Sequence, residues 1–329
     1  MAPSYDSNTR ASELVPLYAP HITNKIILVT GVSPGSLGES FVKQVAAGKP
    51  ATFILAGRNP AKFQPLIDEL TANHPDINVK PLALDLTSFA QVRNAASSVN
   101  SWADVPRIDL LVNNAGIMAV PYKLTEDGNE SQFQTNHLSH FLFTNLLMPK
   151  ILASADPRII NVSSGGHRLG HMRWTDYNFD NGKNYEKWRA YGQSKTANSL
   201  FSIALAERLG RKVSAFSLCP GFVSTNLSAH EAHDYPAFLE SLRKVDVVMG
   251  TKFLWGFGDI QPKDLDQGVA THVYAAFDQA LKEKNGEYVT DCHVADPYQE
   301  EVYPWARSTV DADMLWRLSE KLVGQEFRY

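Results

Sequence analysis

Cysteine is nearly missing from this chain of 329 residues, with Cys219 and Cys292 its only two copies. Two thiols make no disulfide framework, which suits a reducing compartment. Cys292-His293 has no second pair at metal spacing, so both read as ordinary packed or surface residues and no metal is expected. Long apolar runs are lacking too. No stretch approaches the roughly 20 apolar residues of a membrane span. Residues 1–24 have neither a basic start nor an apolar core, so a secretory signal is not expected. A net charge of -4 gives no electrostatic footprint for a nucleic acid or an anionic membrane. These absences predict a cytoplasmic globular protein with neither nucleic acid nor membrane as its partner.

What is present is an ordinary composition, 44% hydrophobic and 20% charged, in a chain long enough to bury a substantial core. Residues 1–24 are polar, carry Pro3, Pro16 and Pro20, and read as an N-terminal arm lying over the domain or partly disordered. A short apolar run at 25–30 ends in Gly31-Val32-Ser33-Pro34-Gly35-Ser36-Leu37-Gly38, and an amphipathic segment follows. Strand, glycine-rich turn and helix together let the backbone approach a pyrophosphate at the positive end of a helix dipole. An ordinary βα turn looks similar, so the rest of the chain must decide. Strands at 51–56, 78–84, 108–112, 158–162 and 212–218 alternate with helices at 60–72, up to 102, 129–152 and 191–209. This alternation predicts an α/β fold, a Rossmann-type doubly wound parallel sheet with helices on both faces. Ligands of such sheets bind beyond the carboxyl ends of the strands. Residues 31–38, Arg58, Asp85, Asn113, Ser164 and Pro220 all fall at such ends.

Dinucleotide folds that select NAD place an acid about 20 residues past the glycines, on the ribose 2′-hydroxyl. Here that position holds Arg58, within Gly57-Arg58-Asn59-Pro60, and no acid follows until Asp68. A guanidinium suits a 2′-phosphate, so NADP(H) is expected; a solvated arginine opening the next helix is the plainer alternative. Asp85 is placed to cap the following helix and face an adenine. Tyr191 and Lys195 stand four apart and share one helix face. A phenol titrates near ~10 in water, and a neighbouring ammonium should lower that value toward the range useful for acid/base work at neutral pH. Spacing alone is weak, since about 0.6 such pairs arise by chance here.

The ordered set Thr30-Gly31 with Gly35 and Gly38, Asp85, Asn113-Asn114-Ala115-Gly116, Asn136, Ser164, Tyr191-x-x-x-Lys195 and Pro220-Gly221 with Thr225 resembles the short-chain dehydrogenase/reductase family. Gly57-Arg58-Asn59-Pro60 and Leu315-Trp316-Arg317-Leu318-Ser319 resemble its branch of retinol-dehydrogenase-like carbonyl reductases, and the resemblance runs from about Lys25 to Leu322. One departure is the first loop, where Gly35 and Gly38 are separated by two residues rather than one. The resemblance implies an NADP-dependent oxidoreductase acting on CH-OH donors or their carbonyls. Tyr191 would be the acid or base, Lys195 would hold the nicotinamide ribose, and Ser164, rather than Ser163, would bind the substrate oxygen. Asn136 would anchor a water in a proton relay to Lys195; an amide capping nearby backbone is the alternative. Gly31, Ser33, Gly35, Leu37, Gly38, Arg58, Asp85 and Leu86 would hold the cofactor's phosphate and adenosine portions, with Asn113, Ala115 and Gly116. Pro220, Gly221, Val223 and Thr225 would hold the carboxamide side.

The expected organisation is a single domain over 25–329 with a helical substrate lid at about 226–264 and a tail at about 290–329. Tyr235, Phe238, Leu239, Leu242, Val247, Val248, Met249, Phe253, Leu254, Trp255 and Phe257 give the lid an apolar side, although such spacing also suits plain core. His167, Leu169, Met118 and Trp174 are further pocket candidates; His230 and His233 read as surface residues. The substrate expected is a small apolar ketone, aldehyde or secondary alcohol. An oxidising dehydrogenase of a retinoid- or steroid-like alcohol is the runner-up. A dinucleotide-sensing regulator is the rival of another class, and it would not need Ser164, Tyr191 and Lys195 together. Related enzymes dimerise through the helices placed at 129–152 and 188–209, so a homodimer is an arrangement the resemblance allows.

Overall fold

The computed structural model describes residues 5–228, 235–251, 262–299 and 301–329. Its centre is an eight-stranded sheet of order β3-β2-β1-β4-β5-β6-β7-β8. The strands are β1 (Ile26–Thr30), β2 (Thr52–Gly57), β3 (Asn78–Ala83), β4 (Leu110–Asn113), β5 (Arg158–Val162), β6 (Ser214–Cys219), β7 (Tyr288–Thr290) and β8 (His293–Val294). All neighbours pair parallel except β7 with β8. The inner strands β1, β4 and β5 are buried along their whole length, which is why they read as continuous apolar runs.

One face of the sheet carries α4 (Phe89–Ser101), α6 (Ser139–Leu152) and α7 (Lys187–Leu209). The other carries α2 (Leu37–Ala46), α3 (Gln64–Asn73) and α9 (Leu265–Phe277). A short helix α5 (Ser131–Phe133) runs through a π turn (Gln134–Leu138) into α6. The remaining described helices are α1 (Ala11–Ile22), α8 (Tyr235–Met249) and α10 (Thr309–Val323). α10 lies against α7 and reaches the π turn, where His137 Nε2 and Ser319 Oγ are 2.8 Å apart. The sheet is therefore doubly wound, as the alternation predicts.

Within the N-terminal arm, residues 11–22 are helical and lie over the domain. They make α1, which buries Ala11, Leu14, Val15, Tyr18 and Ile22 against α9 and α2. Pro16 and Pro20 are exposed and four apart, so both missing N–H groups sit on the solvent face, where the freed carbonyls meet water. Tyr18 Oη donates to Asp278 Oδ2 at 2.6 Å and fixes the helix to the end of α9.

Four histidines, His137, His140, His167 and His272, are at most 1% exposed. Burial pushes His137 and His167 down to about 3, and His140 and His272 down to about 4. Each is neutral in the folded chain below the pH at which the unfolded chain protonates it. Their contribution is intact above about 6.5 and is lost as pH falls through the folded values. We therefore expect thermal stability to fall between pH 6.5 and 4, with unfolding at pH 5 taking up about one extra proton per buried histidine. Calorimetry in buffers of differing ionisation enthalpy measures that uptake; an uptake near zero would contradict the assignment.

Candidate active site

Beyond the carboxyl ends of β1, β4, β5 and β6 lies a cleft of about 1030 Å³. α7 brings the central groups to it. The helix starts at Glu186, whose carboxylate accepts the Arg189 N–H at 2.7 Å, so Tyr191 and Lys195 occupy its early turns. Ser164, two residues past the end of β5, opens a 3₁₀ turn (Gly165–Leu169), and its hydroxyl lies on the same side of Gly166 as the Tyr191 ring. The approach of this turn to α7 needs glycine. A Cβ on Gly166 would lie 2.6 Å from Tyr191 Cε1, and one on Gly192 would lie 2.4 Å from Gly170 N. Ser163 Oγ is already committed, donating to Lys195 O at 2.8 Å and accepting from Ser199 Oγ at 3.1 Å. This leaves Ser164 as the hydroxyl beside the phenol.

Lys195 Nζ donates to Val162 O at 2.9 Å and stands 5.6 Å from the centre of the Tyr191 ring. Burial lowers Lys195 to about 8. Tyr191 is pushed up to about 12 by its own burial, only partly countered by the Ser164 hydroxyl. The expected lowering of the phenol by the ammonium is not met: desolvation of the phenolate raises it, and Ser164, not Lys195, is the group that opposes the rise. At neutral pH the pair is a protonated phenol beside an ammonium.

The first loop turns at Gly31 (φ +76°) and Gly35 (φ +74°). Gly38 rests so close to it that a Cβ would meet Gly31 O at 2.4 Å. Gly31, Ser33 and Leu37 line the cleft, whereas Gly35 and Gly38 do not. The Gly35 N–H is taken by Glu39 Oε2 at 2.6 Å, which follows from the extra residue in the loop. Arg58 and Leu86 line the far end, and Arg58 is exposed with no carboxylate partner among the described residues. Asp85 also lines it but does not cap α4. Its carboxylate folds into a turn with the Thr87 N–H (2.9 Å), and Ser88 supplies the cap.

Ala115, Gly116, Pro220, Gly221, Val223 and Thr225 line the cleft, but Asn113 does not. Asn113 is the last residue of β4 and points into the helix layer, donating to Thr144 Oγ1 (3.0 Å) and Asn161 Oδ1 (2.9 Å). Its neighbour Asn114 faces the cleft and donates to Thr30 O (2.8 Å) and Gly31 O (3.1 Å). Asn136 is fully buried and outside the lining. Its amide accepts the Ile117 N–H at 2.8 Å and donates to Ile117 O and Ser194 Oγ, both at 2.9 Å. It therefore behaves as a backbone clamp behind Lys195.

On the opposite side Met118, Leu169, Trp188, Phe238 and Leu242 form an apolar wall. Trp188 packs edge-on against Tyr191 and Phe238 and donates to Ser241 Oγ at 2.7 Å, tying α8 to α7. Of the other lid candidates, Met249 packs on this wall, while Val247 and Val248 are 83% and 70% exposed. Phe253, Leu254, Trp255, Phe257, His230, His233 and the side chains of Tyr235 and Leu239 lie outside the described residues. Two expected pocket residues are elsewhere: Trp174 packs on the core, and His167 is buried behind Ser164. His167 Nδ1 donates to Ser164 O at 2.8 Å and its Nε2 accepts the Tyr303 N–H at 3.1 Å. The Lys263–Asp291 ion pair (2.5 Å), whose lysine packs over Gly221 at the cleft, joins residues 28 apart and has no local signal in the sequence. Among the described residues no cluster could hold a metal, and no helix is long and apolar enough to cross a membrane.

The family model for short chain dehydrogenases matches residues 25–178. Short-chain dehydrogenase TIC 32 B, chloroplastic, of Brassica napus is 35% identical over 93% of this chain and 89% of its own length. Human retinol dehydrogenase 11 is 33% identical over 92% and 87%. A crystal structure of an uncharacterized protein from Mycobacterium Paratuberculosis superposes with a TM-score of 0.69 at 28% identity, over 94% of this chain and 96% of that one. A carbonyl reductase from chicken fatty liver, solved with NADPH bound, shares the fold at 20% identity and a TM-score of 0.56, over 83% and 98%. The chain belongs to the short-chain dehydrogenase/reductase family of oxidoreductases, in its retinol-dehydrogenase-like branch.

Proposed function

We propose that this protein reduces the carbonyl of an apolar ketone or aldehyde, with NADP(H) as cofactor and Tyr191 as the acid. The observation that carries the reading is the meeting of Tyr191, Ser164 and Lys195 at one point of a cleft whose opposite wall is apolar. The cleft suits a dinucleotide. Gly31 turns the first loop with no side chain at the cleft, and Arg58 lies at the far end without a carboxylate partner among the described residues. Ser33, Leu37, Arg58, Asp85, Leu86, Ala115 and Gly116 would hold the phosphates and adenosine, and Lys195 with Pro220, Gly221, Val223 and Thr225 the nicotinamide side. When bound, the reduced cofactor supplies a hydride to the carbonyl carbon.

The chain's own residues handle the oxygen. Ser164 Oγ donates to it, stabilising charge as it develops, and Tyr191 Oη delivers the proton. The resulting phenolate lies beside the Lys195 ammonium, which is mostly charged below about pH 8. At neutral pH the phenol holds its proton, the form that reduction consumes, whereas oxidation of a retinoid- or steroid-like alcohol would need the phenolate. The two free cysteines suit a reducing, cytoplasmic setting. α10 already covers part of α7 and the π turn, which favours a monomer over pairing through those helices.

Tyr191→Phe should lower kcat by about 10²–10⁴-fold, with the Kd for NADPH nearly unchanged, as read from NADPH absorbance and fluorescence; a dinucleotide sensor would show no turnover to lose. Arg58→Glu should lower the NADP/NAD preference in kcat/KM by roughly tenfold or more, and an unchanged ratio would remove the phosphate contact. The reduction rate needs the Lys195 ammonium and the protonated phenol together. It should be level below about pH 8 and fall above it, and a rate still level well past that value would contradict the role given to Lys195.

A further inference from the structure

His140 is a buried polar group that the proposed chemistry does not use. It sits in the first turn of α6 and is 1% exposed. Its Nδ1 lies 3.1 Å from Asn136 O. A carbonyl only accepts, so Nδ1 carries the proton. Its Nε2 lies 3.0 Å from Thr30 Oγ1. That oxygen already accepts the Asn114 and Ala115 N–H groups, each at 3.0 Å, which fills both lone pairs. Only the hydroxyl proton remains for His140, with Val112 O a more distant acceptor at 3.4 Å. A second proton on the ring would point at an oxygen with no lone pair to give. The ring is a neutral bridge in one tautomer.

The two residues it joins hold the two ends of one loop, Thr30 by the same hydroxyl and Asn136 by its side chain rather than the carbonyl His140 meets. The Thr30 hydroxyl holds the Asn114 and Ala115 N–H groups, and the Asn136 amide holds both the N–H and the carbonyl of Ile117. Between them, Gly116 backs onto Lys195. A Cβ there would lie 3.1 Å from Asn136 Oδ1 and 3.5 Å from Lys195 Nζ. We infer that His140 is a positioning residue for the Tyr191–Lys195 site, fixing the 114–117 loop against Lys195 without touching substrate or cofactor. The inference deepens the reductase reading and rests on it. The charged and titratable groups facing the ring are Lys195 from α7 and His137 from the π turn.

Three variants separate the bridge's two bonds. His140→Asn keeps a donor near the Nδ1 position, His140→Gln keeps a partner for Thr30, and His140→Leu keeps neither. Thr30 has Val112 O to fall back on, so the bond to Asn136 O is the one that matters. His140→Leu should lower kcat about 10- to 100-fold by taking a donor away from that buried carbonyl. Its alkaline limb should move above about 8, because water admitted beside Lys195 relieves the burial that lowers it. His140→Asn should recover most of the lost rate and restore the limb, and His140→Gln should recover neither. Wild-type kcat and limb in His140→Leu, or His140→Asn no better than His140→Gln, would overturn the inference. Should the leucine variant not fold, the Asn and Gln pair decides. If the wild type reduces no carbonyl, the reductase reading fails instead. The inference is then tested by ¹⁵N NMR of His140, expected to show Nδ1–H alone down to pH 5, and by the ¹³C titration of Lys195 in the Asn and Gln variants. A mixed tautomer, or an identical Lys195 titration in the two variants, would reject it.

Discussion

Everything at the cleft depends on α7 lying flush against the backbone that leaves β5. The contact tolerates no side chain at Gly166 or Gly192, and a methyl at either would wedge the phenol off the Ser164 hydroxyl. Hydroxyls small enough to fit the seam satisfy the polar backbone along it. Thr196 Oγ1 donates to Gly170 O at 2.7 Å, and Ser163 Oγ closes on Lys195 O. The reward of so tight a seam is that Lys195 reaches the carbonyl of Val162, the last residue of β5. Its ammonium is thereby located by the end of a buried strand, among the least mobile places a fold offers.

That location sets the electrostatics. Burial disfavours charge on Lys195 and on Tyr191 separately, lowering one and raising the other. It disfavours them together far less, since a phenolate beside an ammonium carries no net charge. Negative charge on the phenol is therefore affordable only while the lysine is positive. A water-filled site would weaken this coupling by screening it. In the proposed reaction, proton release from the phenol would therefore be conditional on the charge of its neighbour.

The strand-end positions were readable because buried parallel strands leave uninterrupted apolar runs that stop at glycine, asparagine or serine. What could not be read was direction within those ends. Asn113 and Asn114 are adjacent and identical in type, yet one belongs to β4 and turns into the helix layer while the other clears the strand and grips the glycine loop. His167 follows Ser164 closely and looked like pocket, but the 3₁₀ turn rotates it toward Tyr303, 136 residues later. Asp85 was read as a cap because its place before a helix allows it; Thr87 captures it locally and Ser88 caps instead. Pro16 and Pro20 hid α1, since their harmlessness depends on both facing water, a matter of packing against α9.

The parts of the cleft that handle the proton and the parts that face substrate are held in different ways. Ser164, Tyr191 and Lys195 are set by strand ends and by the seam with α7. Phe238 and Leu242 of the apolar wall come from α8, joined to α7 through Trp188, its edge-on packing against Phe238 and its bond to Ser241. The polar edge is completed by β7 and the segment after it, pinned through His167 and the Lys263–Asp291 pair. A change in α8 therefore alters the shape offered to substrate while leaving the distance from Lys195 to Val162 O untouched. A change at Gly166 or Gly192 does the reverse. In the proposed reaction this division would let one proton-handling centre serve walls of different shape, with Tyr191 and Lys195 marking the family and α8 shaping the substrate side.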